Sequence, residues 1–418
     1  MKNSNSYLDE IQRLMNIAKA YNIDYNFNIA NTDEYANIHK VVQYLRTQIM
    51  QNEFWASISR MKSPEFKKGK DLSKSYFSYE RSYMPYSIET LITESFHTHK
   101  VSTLVTRSGL SSLDLAFRTS IYFLHSIKEN LNSVSYYNYF ETETLMQQME
   151  RVELIRNNNS TNFDKFINLI LKCNPDIIFI ENPLAIPKNV NFSEHKLLTA
   201  IRKLDPRTFR IIIFDSTLKG SLTNLESLLN KLPGNYLILD IVSGIKFYNL
   251  GLELSNLGIT TIWCKNDNIK RNFKKRLKAY RNVTGQTIEA VEESYLYPIF
   301  KNLNLVDAHY QAVLKNSLTY QNIFYKYGII DKLSLTPIVT INNHWSGDQV
   351  VNIVHNIHDA LKARGLNLST GDSFGFHLTR VQDIHSSNQL KNEHWIRIAP
   401  GSFYSEADDY IIKYFINK

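Results

Sequence analysis

The chain has 418 residues, 43% apolar and 21% charged, a globular balance that excludes a largely disordered protein and a length beyond one small core. Fourteen glycines and ten prolines exclude a collagen-like chain, and two cysteines, Cys173 and Cys264, cannot build a disulfide framework or a four-thiolate zinc site. The net charge of +8 is mild over this length, and its basic clusters, Lys67-Lys68-Gly69-Lys70 and Lys270 to Arg276, are expected as solvated faces without a nucleic-acid partner.

Met1 to Asn5 is not followed by an apolar run long enough for a signal peptide, and no stretch reaches the roughly 20 apolar residues of a membrane span. A cytoplasmic protein with no membrane partner is expected. Apolar residues three and four apart predict helices over Tyr7 to Ala20 and Ile38 to Met50. Lys62 to Ser75 reads as a loop. Val101 to Val105 is a strand, and Leu110 to Ile127 has helical spacing. The apolar, β-branched runs Asp176 to Ile180, Arg210 to Phe214, Tyr236 to Val242 and Ile259 to Trp263 are strands, separated by helices over Phe192 to Leu204 and Leu222 to Leu232. Wholly apolar strands alternating with helices mean a sheet covered on both faces, hence α/β. Long helices follow from about 275 to 330, then a strand over Leu335 to Ile341, a helix from Gly347 to Arg364 and a last strand around Trp395 to Ala399. The expected division is a helical arm over 1–75, a large domain over 76–305 and a smaller α+β domain over 306–418.

In open α/β sheets the chemistry sits at the carboxyl ends of the strands. Three ends carry Glu181-Asn182-Pro183, Asp215-Ser216-Thr217 and Ser243-Gly244-Ile245-Lys246. An acid at one strand end and a lysine past the next are the parts of a pyridoxal phosphate site: the amine forms a Schiff base and the carboxylate keeps the pyridine nitrogen protonated. Asp215 and Lys246 fit by position, although a strand-end Asp is equally a helix cap and a lysine equally a surface residue. Ser108-Gly109-Leu110-Ser111-Ser112, between a strand and a helix, has the small residues of a phosphate-binding helix start, and also those of an ordinary capped helix.

The order of short motifs is more specific. Tyr79-Glu80-Arg81-Ser82, then Ser108-Gly109-Leu110, resemble paired Tyr-x-Arg and Ser-Gly-Met signatures. Tyr139-Phe140-Glu141-Thr142 stands where Tyr-Gly-Gly-Thr would. Glu181-Asn182-Pro183, Asp215-Ser216-Thr217 and Ser243 to Asn249 are similar to Glu-Ser-Pro, Asp-Asn-Thr and Ser-Ala-Thr-Lys-Tyr-x-Asn. Asn282 to Gly285, Ser373-Phe374-Gly375 and Arg397 to Gly401 with Glu406 and Asp408 complete the series. From about 79 to 410 the chain resembles a divergent member of the cystathionine γ-synthase-like (Cys/Met metabolism) family of pyridoxal-phosphate enzymes, fold type I, aspartate aminotransferase-like.

The resemblance implies that Lys246 holds pyridoxal 5'-phosphate and shuttles protons between Cα, Cβ and Cγ. Asp215 would bind the pyridine nitrogen, Tyr139 would stack on the ring, Gly109, Leu110 and Ser243 would bind the phosphate, and Thr217 would also contact the cofactor. Tyr79 and Arg81 would reach the phosphate site of a neighbouring subunit, implying a homodimer or homotetramer. Tyr79 and Tyr139 would serve catalysis beside Lys246, and Arg397 would clamp the substrate α-carboxylate with support from Ser373. No metal is implied.

Several positions depart from the family pattern. Ile245 replaces a hydroxyl residue, Phe140 and Glu141 replace glycines, and Ala185 replaces an asparagine for which Asn182 is out of register. Phe376 replaces a glycine and Leu378 an acid, with His377 and His385 nearby as substrate contacts or structural residues. The expected activity is β- or γ-elimination or γ-replacement at a C–S or C–O bond of an amino acid, through aldimine and quinonoid intermediates, as in transsulfuration, in a specialised pathway. The alternatives are an aminotransferase and a non-catalytic scaffold.

Overall fold

The computed structural model describes residues 4–24, 33–58, 84–152, 154–186, 192–342, 344–366, 368, 373–385 and 394–418. The chain opens with α1 (Ser4–Ala20), α2 (Glu34–Ile58) and α3 (Tyr86–Ser95). Then come β1 (Val101–Thr106), α4 (Gly109–His125), β2 (Asn132–Tyr136), α5 (Phe140–Arg151), β3 (Arg156–Asn159), α6 (Phe163–Cys173) and β4 (Ile177–Glu181). The next elements are α7 (Glu194–Ile201), β5 (Arg210–Asp215), α8 (Glu226–Lys231), β6 (Tyr236–Ser243), β7 (Gly258–Cys264) and α9 (Asp267–Thr284). The remainder is α10 (Ala290–Lys301), α11 (Asn304–Lys326), β8 (Val339–Ile341), α12 (Gly347–Lys362), β9 (Arg380–His385), β10 (His394–Ala399) and α13 (Glu406–Ile416). Among the described residues, no helix is long and apolar enough to cross a membrane.

The chain divides into two compact units. The sheet unit, about 60–245 and 256–293, holds seven strands in the order β1-β7-β6-β5-β4-β2-β3. Strands β3, β2, β4, β5 and β6 run parallel, while β7 is antiparallel to both β6 and β1. The β4, β5 and β6 strands are Ile- and Leu-rich because both their faces are covered. On one face, Ile177, Phe179, Ile211, Ile213, Leu237, Leu239 and Ile241 pack with Leu113, Phe117 and Ile121 of α4 and with Phe273 and Leu277 of α9. The basic cluster from Lys270 to Arg276 lies on α9, where Phe273 is core and Lys270 is tied to Asp267. A buried ion pair joins α3 to α9: Arg281 Nη1 donates to Glu89 Oε1 at 2.5 Å and to the Val105 carbonyl at 2.6 Å.

Most of the expected strands and helices fall in these places, but the strand expected over Leu335 to Ile341 is confined to Val339–Ile341, the helix expected over Phe192 to Leu204 is confined to Glu194–Ile201, and two further differences are instructive. Strands β2 and β3 are polar, and Ser133 and Ser135 both donate to Asn157 Oδ1. Such an edge shows no apolar run in the sequence. The helix expected from Leu222 begins only at Glu226, whose N–H is taken by Asn224 Oδ1 in a turn. The expected loop over Lys62 to Ser75 lies outside the described residues.

The second unit comprises residues 1–59, 246–255 and 294–418. It is an α+β assembly with an antiparallel sheet of order β8-β10-β9. Helix α1 belongs to it through a buried polar cluster. Arg13 of α1 donates Nε to Glu10 Oε2 at 3.1 Å, Nη2 to Ser402 Oγ at 2.7 Å and Nη1 to His309 Nδ1 at 2.8 Å. Arginine only donates, so His309 accepts at Nδ1 and donates Nε2–H to the Gly375 carbonyl at 2.8 Å. His377 Nδ1 lies 2.7 Å from Glu10 Oε1. Of the two readings open for His377, the cluster favours the structural one.

Candidate active site

In the sheet unit, the carboxyl ends of β1, β2, β4, β5 and β6 lie along one edge. Ser108 caps α4, accepting from the Ser111 N–H at 3.0 Å. The following Gly109 touches the end of β6 so closely that a methyl group there would lie 2.6 Å from Ser243 Cβ and 3.0 Å from its Oγ. Leu110 is 39% exposed. The Ser243 N–H donates to Thr217 Oγ1 at 3.0 Å, and the Thr217 N–H donates to Asp215 Oδ1 at 3.0 Å. Gly109, Ser243, Thr217 and Asp215 thus form one connected ledge, half-buried along its length.

Asp215 is the direct strand partner of Glu181. The Glu181 carboxylate accepts N–H groups from Asn138 at 2.8 Å, Tyr139 at 3.2 Å and Ala185 at 2.5 Å, pinning the chain after β2 and after β4. Burial and the nearby Asp215 push its pKa up to about 8, against these three donors, which favour the ionised form. Burial also pushes Asp240, inside β6, up to about 7. Tyr139 stands at the start of α5 with its hydroxyl bonded to Glu141 and its ring edge-on to Phe140, 5.1 Å between centroids. The replacements at 140 and 141 therefore bear directly on this tyrosine.

In the other unit, Lys246 begins the segment after β6. Its Nζ donates to Ser373 Oγ at 2.6 Å and lies 5.1 Å from the Phe374 ring centroid. Gly375 follows at φ +82°, and a methyl group there would stand 2.0 Å from the Lys246 carbonyl oxygen. Only glycine allows that backbone angle together with that approach. His377 packs on Gly251, and Phe376 lies under the Arg380 guanidinium at 3.4 Å, which explains a large ring at that position. Residues 373–377 form a strap over the segment that begins with Lys246.

Arg397 is buried on β10, and its Nε and Nη2 donate to Gln382 Oε1 at 2.9 and 2.5 Å. Ser373, expected beside Arg397, bonds to Lys246 through its hydroxyl and meets Gln382 Nε2 through its carbonyl at 3.4 Å. The sequence reading passed over Gln382, Glu10 and Arg13 as site neighbours. No spacing signal marks them, because contact across strands and helices brings them in. Tyr79, Arg81 and the His385 side chain lie outside the described residues. Among the described residues, no cluster of three or more His, Cys, Asp or Glu side chains is arranged to hold a metal ion.

No family model matches the chain, and no curated protein matches its sequence. Solved structures do match. A cystathionine γ-synthase from Xanthomonas oryzae pv. oryzae superposes with a TM-score of 0.58 at 13% identity, covering 88% of this chain and 97% of that one. A methionine γ-lyase from Micromonospora echinospora gives 0.57 at 14% identity, over 85% and 91%. A protein described as an O-acetylhomoserine (thiol)-lyase, from Campylobacter jejuni, gives 0.58 at 12% identity, over 87% and 99%. The mostly parallel seven-stranded sheet, the α+β unit and these superpositions together give the chain the aspartate aminotransferase-like fold, fold type I.

Proposed function

We propose that the protein is a pyridoxal-phosphate-dependent enzyme that breaks or exchanges a C–S or C–O bond in an amino-acid side chain, by β- or γ-elimination or γ-replacement. The observation that carries this reading is the connected ledge Gly109–Ser243–Thr217–Asp215 at the carboxyl edge of the sheet. It suits the cofactor on its own terms. Gly109 packs directly on Ser243, which sets the start of the 17-residue α4, an end of a helix that favours anions, against the end of β6. A carboxylate, Asp215, stands on the same ledge for a protonated ring nitrogen. The solved relatives support the choice: the Xanthomonas synthase was crystallised with aminoacrylate and cysteine, and the Campylobacter protein with a pyridoxyl-lysine monophosphate.

When bound, the cofactor supplies an aldehyde for the lysine amine and a ring that draws electron density from the substrate Cα. The chain does the rest. Gly109, Leu110, Ser243 and Thr217 would hold the phosphate, Asp215 the ring nitrogen and Tyr139 the ring face. Lys246, oriented by Ser373, would take the proton from Cα and move protons at Cβ and Cγ as the leaving group departs. Arg397 would grip the α-carboxylate. Tyr79 and Arg81 would complete the phosphate site of a second copy, making the working unit a homodimer or homotetramer. Phe140 and Glu141, both in contact with Tyr139, favour a specialised substrate.

The test is a visible spectrum of the purified protein and of Lys246→Ala, before and after borohydride, followed by an amino-acid panel assayed for released thiol, ammonia and oxo acid. The reading expects a yellow band fixed covalently at Lys246 and absent from the variant, with elimination or exchange products. Accumulation of pyridoxamine phosphate with an oxo acid would replace it by an aminotransferase. A colourless protein that the cofactor cannot reconstitute would leave a scaffold.

A further inference from the structure

Helix α1 reaches the segment of Lys246 through one imidazole. Arg13 Nη1 donates to His309 Nδ1 at 2.8 Å, and the other ring nitrogen, Nε2, donates to the Gly375 carbonyl at 2.8 Å. Gly375 lies against the Lys246 carbonyl oxygen, and two residues earlier the Ser373 hydroxyl accepts from Lys246 Nζ at 2.6 Å. The strap is also tied by the Ser402 and Phe403 N–H groups, which donate to the Phe376 and His377 carbonyls at 2.9 and 3.0 Å, and Ser402 Oγ accepts from Arg13 Nη2 at 2.7 Å. Arg13 thus holds the strap by two routes, through His309 and through Ser402, and the first can take up a proton. An imidazole nitrogen that accepts from a guanidinium carries no proton of its own, and with Nε2 donating the ring is neutral. A proton on Nδ1 would set two donors and two positive charges against each other. The charged and titratable groups that act on His309 among the described residues come from α1, Arg13 and Glu10, and from the strap, His377, whose ring centroid is 5.6 Å away. Burial first, then Arg13 and His377, hold the His309 pKa well below its ordinary 6.5, against the Gly375 carbonyl and Glu10.

We propose that α1 is a positioning element for Lys246, acting through His309 and the strap over residues 373–377, and that a proton taken up by His309 weakens its hold. The proposal rests on the role given above to Lys246 and gives the first helix a task in it. With α1 docked, His309 resists protonation; with α1 released, the ring regains its ordinary behaviour. The hold is therefore complete above about pH 6.5 and declines below it, by about tenfold in the docking equilibrium for each pH unit. Glu10, held down at about 2, adds its own loss below its ordinary 4.5, so the decline just under pH 6.5 belongs to the histidines.

Hydrogen exchange of the whole protein, followed residue by residue from about pH 8 to 5, reads the hold. The reporters are the Leu14, Ser402 and Phe403 amides, and Ile212 and Ile238 of the sheet unit are controls. Protection at the reporters is expected to fall together, by about tenfold per pH unit below pH 6.5, while the controls keep theirs. His309→Gln offers an oxygen to Arg13 and an N–H to the Gly375 carbonyl but takes up no proton, and its slope is expected to be lower by that one decade. The His309 ring resonances of the wild type, which need no variant, are expected to show a neutral ring well below pH 6.5. His309→Leu, which breaks both bonds, is expected to slow formation of the borohydride-fixed pyridoxal phosphate adduct at Lys246 by about tenfold or more at pH 8, and His309→Gln to restore the rate. Equal slopes in the wild type and His309→Gln overturn the proposal, as do controls that open with the reporters, or a ring that titrates near 6.5 while the reporters stay protected. A wild type with no adduct at Lys246 overturns the parent reading and the positioning role together, whereas an adduct formed as fast in His309→Leu as in the wild type sinks this proposal alone.

Discussion

Glu10 and Glu181 are both almost fully buried, yet their surroundings drive them in opposite directions. Burial opposes ionisation in each. Around Glu10, the Arg13 guanidinium and His377 overcome it and hold the carboxyl down at about 2. Around Glu181, the neighbouring Asp215 adds to it, and only backbone N–H groups resist. The contrast separates two ways of building the two units. The ledge beside Glu181 is made of strand register, a helix start and backbone donors, with short side chains filling in. The strap on Lys246 is held by ionised and hydrogen-bonded side chains drawn from α1, α11 and the C-terminal loops.

If this contrast holds, the largest stability loss should come from removing a charge on the Lys246 side. Arg13→Met would leave the Glu10 carboxylate buried without its cation, at a cost of roughly 3–5 kcal/mol in urea unfolding. A loss below about 1 kcal/mol would mean that His377 and Ser402 suffice, and would erase the distinction.

The pH dependence of stability should split along the same line. Glu10 has a folded pKa below its ordinary 4.5, so its contribution is present above that value and lost as pH falls toward 2, roughly 3 kcal/mol in all. His309 and His377, both lowered by burial, add to the loss on the acid side as pH falls below their usual 6.5. Glu181 has a folded pKa raised to about 8, so its contribution is present below 4.5 and lost as pH rises through 8. In unfolding curves taken from pH 3 to 9, Glu10→Gln should flatten the acid limb and Glu181→Gln the limb from 5 to 8. A single limb abolished by both variants would show that the two acids are not independent.

Smaller effects sharpen the picture. Gly375→Ala forces a methyl group against the Lys246 carbonyl at a positive φ and should cost roughly 2–3 kcal/mol. Ser108→Ala, which removes one cap from α4 on the ledge, should cost only about 1 kcal/mol. Equal losses at the two positions, read from denaturant midpoints, would place the ledge under as much side-chain control as the strap.

The same difference decides what could be read from the sequence. The ledge was legible because its parts sit at the ends of apolar β-branched runs: Asp215 closes β5, Ser243 closes β6 and Ser108-Gly109 opens α4. Strands β2 and β3 escaped because Asn, Ser and Arg fill most of their positions and leave no apolar run. Phe376 looked like a departure without a reason until Arg380 was found stacked on it. Gln382, Glu10 and Arg13 were illegible because each is an ordinary polar residue, meaningful only for what lies across a strand pair or a helix contact. Motif order marks residues at strand ends and helix starts and is silent about the side chains that pack around them.

The Glu10–Arg13 cluster also sets a timetable for synthesis. Its partners His309, His377 and Ser402 are made some 300 to 390 residues after it, so α1 leaves the ribosome long before its binding site exists. The described part of the sheet unit ends at Glu293 and can close while the remaining 125 residues are still to be added. During that interval the apolar face of α1, with Ile11, Leu14 and Ile17, has α2 to pack against but not α11.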